Sequence, residues 1–288
     1  MKLRKNHVAV VTGAGSGIGR ATSIALAERG CRLALADVDR AGLEQTQAGI
    51  RALGAEANSY HVDVSDRARM QAFSDEVVRD YGSVNVLFNN AGVCIAGSFT
   101  SQSLDDYEWL MGVNFWGVIY GCKFFLPHLL ASGEGHIVNM SSLFGLVAMQ
   151  QQSSYCASKF AVRGFSESLR SELRETCVGV STVHSGAIAT NMASTTRVRG
   201  DERMQATQLL AVEHFRNSKR PSDAAEVIVS AILRNRARVL ITPEAHMLDF
   251  LQRVSPGSEQ AVLNWSYKKF TERLDAPASK VARLPPNV

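Results

Sequence analysis

Seven short runs, most of them apolar and β-branched, recur along the chain: Val8 to Val11, Leu33 to Ala36, Asn58 to Val62, Val84 to Phe88, Gly135 to Met140, Val178 to Val183 and Val239 to Thr242. Runs of this length predict buried strands. Between them apolar residues recur at helical spacing, over Arg20 to Glu28, Ala41 to Leu53, Ser65 or Asp66 to Tyr81, Leu104 to about Leu130, and Ser153 or Ser154 to about Thr176. Two more such stretches, Met204 to Arg216 and Pro221 to Arg234, follow an irregular polar segment from Asn191 to about Glu202. Strands alternating with helices predict an α/β fold, a doubly wound parallel sheet of seven strands with helices on both faces.

No linker divides residues 1–243, which read as one domain. Beyond them, His246 to Val254 and Gln260 to Leu274 carry helical periodicity on either side of a Ser-Pro-Gly break, so 244–274 is expected to be a helical extension. Its apolar stripes require burial, whether over a substrate cleft, against another subunit or on a membrane surface. Residues 275–288 hold three prolines and little to bury, and are expected to form a loosely ordered tail.

Composition changes this picture little. Of 288 residues, 45% are hydrophobic and 20% charged, as in an ordinary soluble globular protein, and the net charge of +4 without a basic run gives no reason to expect a nucleic-acid partner. The five cysteines, at 31, 94, 122, 156 and 177, form no C-x-x-C pair and no metal-ligand spacing, so reduced thiols and no metal are expected. Met1 to His7 runs into the first strand with no secretory pattern, and no stretch is read as approaching the ~20 apolar residues of a membrane span. A cytoplasmic protein without a transmembrane segment is the expectation.

The first strand ends in Thr12-Gly13-Ala14-Gly15-Ser16-Gly17-Ile18-Gly19 and a helix follows. A strand, a glycine turn and a helix N-terminus in that order suit a pyrophosphate, because glycine lets the backbone approach and the free N–H groups and dipole favour negative charge. Asp37 closes the second strand; a carboxylate there accepts from an adenosine ribose and repels a 2′-phosphate, which favours NAD over NADP. Asp39 reads as the cap of the next helix. Asp63, with Val64, closes the third strand, where a carboxylate could meet the adenine amino group; capping is an equally good account of the following Ser65 and Asp66. Asn89-Asn90-Ala91-Gly92 after the fourth strand suits a loop against a cofactor or any tight turn. Asn114 is an amide inside an apolar helix. Tyr155 and Lys159, four residues apart, share one helix face, so the lysine is placed to stabilise a phenolate.

Taken together these motifs resemble the short-chain dehydrogenase/reductase family, over roughly His7 to Thr242, with a Rossmann-like fold. Thr12 to Gly19 looks like its cofactor loop, Asn89 to Gly92 like its Asn-Asn-Ala-Gly turn, and Asn114, Ser142, Tyr155 and Lys159 like its catalytic set. Ser142 is chosen over Ser141 because thirteen residues separate it from Tyr155, as is usual in the family. The resemblance implies a nicotinamide cofactor held by Gly13, Ser16, Gly17, Ile18, Gly19, Asp37, Asp63, Val64, Asn90, Ala91, Gly92, Tyr155, Lys159, Gly186, Ile188 and Thr190. It implies Tyr155 as general acid or base, Lys159 lowering its pKa and holding the nicotinamide ribose, Ser142 as donor to the substrate oxygen, and Asn114 holding a water. A homodimer or homotetramer is also implied, which favours subunit packing for the stripes of the extension. Ser185-Gly186 replaces the usual Pro-Gly, and the extension lies outside the resemblance.

For the small-molecule substrate, Ser142, Phe144, Met149, Tyr155 and Met192 are the expected contacts. Leu143, Leu146, Val147, Ala148, Val93, Cys94, Ile95 and Met204 are further candidate lining; Val147 and Val93 read equally well as core. An apolar site suits a lipophilic secondary alcohol or ketone. Arg197, Arg199 and Arg203 read as a solvated loop in preference to an anion site. The alternatives are a nucleotide-binding regulatory or scaffolding protein with little catalysis, and a 3-oxoacyl thioester reductase.

Overall fold

A computed structural model of the chain describes residues 1–274, so the tail expected over 275–288 lies outside it. The strands β1 (Val8–Thr12), β2 (Arg32–Asp37), β3 (Ala57–His61), β4 (Val86–Asn89), β6 (Gly135–Met140), β7 (Val178–His184) and β9 (Arg238–Leu240) form a seven-stranded sheet in the order β3-β2-β1-β4-β6-β7-β9. Every pairing is parallel. Alternation divides each strand between the two faces. Ala9, Val11, Leu33 and Leu35 pack on α1 (Gly17–Ala27), α2 (Arg40–Ala52) and α9 (Pro221–Arg234). Val8, Val10, Ala34 and Ala36 pack on α3 (Arg67–Tyr81), α5 (Gly117–Ala131) and α6 (Ser153–Glu172). After β3 the chain crosses to the other side of β1, so a crevice opens at the carboxyl ends of β1 and β4, the switch point where α/β sheets bind ligands.

The expected helix from Leu104 to Leu130 forms, with an interruption: α4 (Leu104–Met111) passes through a π turn, Gly112–Trp116, into α5. This 28-residue stretch, Leu104–Ala131, is long and apolar enough to cross a membrane by length and composition, which corrects the reading that no stretch approaches that length. Its inner face is core of the fold, with Val118, Cys122, Phe125 and Leu129 buried against the sheet and its neighbours.

Two strands of two residues each escape any pattern: β5 (Ile95–Ala96) and β8 (Arg197–Val198) pair in parallel as a separate ladder. Between them in sequence α7 (Met192–Thr195) forms a single turn, and α8 (Glu202–Arg216) follows β8. After β9 come α10 (Pro243–Val254) and α11 (Ser258–Thr271). Ala245, Leu248 and Leu263 of these helices are buried against Leu143, Leu146 and Val147 of the same chain. Leu248 and Leu263 therefore find their burial within the chain, whereas Met247 and Val254 of the same stripes remain exposed, and Leu143, Leu146 and Val147 are core, not pocket wall.

Candidate active site

The glycine loop owes its shape to three neighbours. Gly13 stands at φ +65°, where a Cβ would come within 2.8 Å of the Asn90 amide nitrogen, and a Cβ at Gly19 would collide with the Gly13 carbonyl. Asn90 Nδ2 donates to the Thr12 and Gly13 carbonyls at 2.9 and 3.1 Å, while Thr12 Oγ1 accepts the N–H groups of Asn90 and Ala91. Asp37 accepts from Gly15 N–H at 2.8 Å and from Asp39 N–H at 3.0 Å. Asn90 and Asp37 thus brace the loop through their side chains.

The start of α1 fits a phosphate group. Asp39 and Asp66 cap α2 and α3 with their carboxylates, whereas Ser16, which opens α1, makes no side-chain cap. The first N–H groups of that helix have no intrahelical partner and point out of its positive end. Gly17, at φ +52°, faces Thr190 across a gap that a Cβ would fill, at 3.0 Å from the threonine methyl. Ser16 Oγ reaches Asn191 at 3.3 Å. Asp63 Oδ1 takes both the N–H and the hydroxyl of Ser65, so local capping accounts for one of its oxygens. Val64 is buried beside the loop, while Ile188 lies in the core with its main chain bridged to Lys219. Gly186 donates to Thr242 Oγ1 at 3.2 Å, and Glu244 packs so close that a Cβ there would clash with it.

Three side chains meet at the ends of β6 and α6. Ser141 and Ser142 face opposite ways, as neighbours in an extended segment must. Ser141 Oγ donates to the Lys159 carbonyl at 2.9 Å, turned into the fold, and Ser142 Oγ lies within hydrogen-bonding reach of Tyr155 while accepting from Phe144 N–H at 3.1 Å. Lys159 Nζ donates to the Met140 carbonyl at 3.1 Å and stands 5.6 Å from the Tyr155 ring centroid. Both residues are buried, at 7% and 1% exposure. Burial raises the Tyr155 phenol, helped by the nearby Cys94 thiol, against the lowering effect of the Ser142 hydrogen bond. Burial also lowers the Lys159 ammonium to about 8. The lowering of Tyr155 by Lys159 that the resemblance implies is not among the effects on the phenol: the amine sits over the ring and donates to a carbonyl, and both groups lose their hydration.

Asn114, in the π turn, is fully buried. Its Oδ1 accepts from Val93 N–H at 2.8 Å and its Nδ2 donates to the Val93 carbonyl at 3.0 Å and to Ser158 Oγ at 3.1 Å. One Oδ1 lone pair is all the amide has left for the water that the resemblance implies. Its observed work is to fix the strand end beside Lys159, since a Cβ on Gly92 would stand 3.3 Å from Asn114 Oδ1 and 3.4 Å from Lys159 Nζ. π turns recur at functional sites because they re-aim one residue of a helix.

Apolar residues surround the phenol. Ile95, Leu110, Trp109, Val93, Cys94 and Phe144 cluster with Tyr155, and the Phe144 ring meets it edge-on at 6.4 Å. Met149 bonds through its main chain to the Cys156 thiol, and Met192 opens α7, half-buried. Sequence reasoning missed His184, whose Nδ1 lies 3.0 Å from the Ser142 carbonyl and whose pKa burial pulls down to about 4. Its place at the end of β7 was the available signal. It also missed the buried chain from Asn89 through Asn139 to Ser166, at 2.9 Å per step, and the partners of Arg197 and Arg199, whose side chains are exposed or partly exposed as expected. Arg199 forks onto Asp106, and Arg197 stacks on Trp109. Among the described residues no group of side chains could hold a metal.

Residues 7–200 match the family model described as short chain dehydrogenase. The chain belongs to the short-chain dehydrogenase family. It is 43% identical over 273 residues to "Putative oxidoreductase SadH" of Mycobacterium tuberculosis, covering 92% of this chain and 97% of that one. Estradiol 17-beta-dehydrogenase 11 of Mus musculus is 29% identical over 250 residues, covering 87% and 80%. A short chain dehydrogenase/reductase from Burkholderia phymatum, solved with NAD, superposes with a TM-score of 0.82 at 34% identity, covering 88% and 94%. The protein is an oxidoreductase of the NAD(P)-dependent type that acts on CH–OH groups.

Proposed function

We propose that the enzyme interconverts a lipophilic secondary alcohol and its ketone with NAD. The observation that carries this reading is the Ser142–Tyr155–Lys159 cluster set among Ile95, Leu110, Trp109 and Phe144, two polar hydroxyls in an apolar surround. The name of the mouse relative, estradiol 17-beta-dehydrogenase 11, is that of an enzyme for a secondary alcohol on a lipophilic body.

The nicotinamide ring, when bound, gives or takes the hydride. The chain's own residues handle the oxygen. A protonated Tyr155 donates to the carbonyl oxygen in reduction, and Ser142 shares the negative charge that develops there. Oxidation needs the phenolate, which the ammonium of Lys159, 5.6 Å from the ring centroid, is placed to stabilise. Asp37 supports NAD: its carboxylate stands at the end of β2 beside the glycine loop, and the nearby Arg20 is engaged with Thr46, Gly42 and Gln45. That guanidinium is not left over to receive a 2′-phosphate.

The test is absorbance at the reduced-nicotinamide band with NAD and NADP, across secondary alcohols and ketones of increasing chain length. We expect turnover with NAD that improves with chain length, and a loss of roughly 100-fold or more in kcat for Tyr155→Phe with nucleotide affinity nearly unchanged. Equal turnover with NADP would remove the role given to Asp37. Substantial residual turnover in the variant would mean that the proton comes from another group.

A further inference from the structure

The segment from Thr190 to Gly200 touches both halves of the site. At one end Thr190 faces Gly17, and Asn191 bonds Ser16 on the glycine loop. In the middle Thr196 lies within hydrogen-bonding reach of Cys94, the thiol whose field acts on Tyr155 and Lys159. At the other end β8 pairs with β5, Arg197 N–H donating to the Cys94 carbonyl at 3.1 Å and Arg199 N–H to the Ala96 carbonyl at 2.8 Å. A parallel ladder of two residues per strand is too short to persist alone. Something else must hold it.

Two residues of α4, one turn apart on one face, do so. Asp106, 4% exposed, accepts from Arg199 Nε at 2.8 Å and Nη2 at 2.7 Å in a two-pronged ion pair. Its carboxylate is itself fixed, because Oδ2 also accepts the Ser103 N–H in the capping box that starts α4. Trp109 takes the Arg197 guanidinium 3.4 Å above its ring and sits in the cluster around Tyr155. Opposite them Gly97, at φ +159°, lets the backbone approach so closely that a Cβ would strike the Arg199 carbonyl. Planar, paired hydrogen bonds and ring stacking both fix orientation, which a lysine in either place would not reproduce.

We propose that Asp106 and Trp109 are positioning residues that latch the 190–200 segment, through Arg199 and Arg197, over the substrate side of Tyr155, and so set the affinity for substrate and not the chemical step. The proposal rests on the alcohol-ketone reading for its kinetic part only. Both guanidinium groups are engaged by α4, Arg199 by the Asp106 carboxylate and Arg197 by the Trp109 ring.

The experiment compares Asp106→Asn, Arg199→Met, the double variant, Arg199→Lys and Arg197→Met in the full chain. Limited proteolysis and hydrogen exchange over 190–200 are read first, because they need no substrate. Faster cleavage and exchange in each single variant are expected, with the double variant no faster than either single one. In turnover, KM for the secondary alcohol rises roughly tenfold with kcat within about twofold, and affinity for NAD measured by binding is unchanged. Arg199→Lys restores part of the loss. Unchanged exchange in every variant, or additive effects of Asp106→Asn and Arg199→Met, would overturn the latch. Faster exchange with an unaltered KM would leave a latch that does not control substrate and so overturn the proposal as stated. Absence of turnover in the unaltered enzyme, with the exchange result as expected, would fault the substrate reading instead. Should Asp106→Asn lower the melting temperature by loosening α4, Arg197→Met, which leaves the capping box intact, carries the test.

Discussion

Lys159 holds its amine away from water, one hydrogen bond from the Met140 carbonyl and with no carboxylate among the causes of its shift. The folded chain therefore binds its proton less tightly than the unfolded chain, with a pKa of about 8 against 10.5. Between those two values the unfolded state carries a proton that the folded state has lost, so this residue makes stability rise with pH across that window. Below about 8 the burial penalty is present in full. At about 1.4 kcal/mol per unit, the effect is on the order of 3 kcal/mol. We expect urea unfolding at pH 7, 9 and 10.5 to show wild type gaining on Lys159→Met by that order; a constant difference would mean the ammonium is solvated. At this scale the sequence was most legible where the partner is local. Asp39 and Asp66 cap the helices they precede, and Tyr155 and Lys159 share a face, because three or four residues of helix geometry are enough. Choosing between Ser141 and Ser142 by spacing gave the serine that faces Tyr155, yet the reason, opposite side-chain directions at a strand end, is visible only with α6 in place.

At the scale of elements, β1, the glycine loop and α1 act as one unit, and the unit depends on absent side chains. Gly19 enters α1 against the Gly13 carbonyl, so even a methyl group must push the loop and the helix apart. We expect Gly19→Ala to cost about 1–3 kcal/mol in stability, as overpacking does, and to weaken nucleotide binding by more than tenfold. Calorimetry with NAD checks this; affinity within twofold of wild type would show that the loop yields freely. The order of strands and helices was readable because each element carries its own period, 2 or 3.6. The π turn at Asn114 and the β5–β8 ladder were not. One is a single inserted residue within a helical pattern, and the other is two residues long, shorter than any period can mark.

For the whole molecule, the extension is the part that sequence placed least well. The stripe on α10 and α11 was evident, but only part of it is buried, and there Leu248 and Leu263 lie on Leu143, Leu146 and Val147, more than a hundred residues back. The extension thereby supports the segment between Ser142 and Tyr155. Leu248→Ala should cost about 2–5 kcal/mol, since Leu248 is 3% exposed and sits within a buried apolar cluster. A urea midpoint that moves by less than the equivalent of about 1 kcal/mol would show that α10 does not pack there. Met247, Phe250, Val254 and Trp265 remain exposed on the outer side of the same helices.

What the sequence determined by itself is whatever short-range geometry dictates: the alternating elements, the glycine turn on a helix start, the capping carboxylates and the phenol one turn from an ammonium. What the tertiary structure decided is what each polar group does once water is removed. Asp106 and Arg199, 93 positions apart, become an ion pair, Asn114 becomes a clamp on Val93, and Tyr155 has its pKa raised by burial more than any neighbour lowers it. Contacts across such separations are fixed by packing of the whole sheet and its helices, and desolvation depends on everything that surrounds a group, so neither leaves a signature in local sequence.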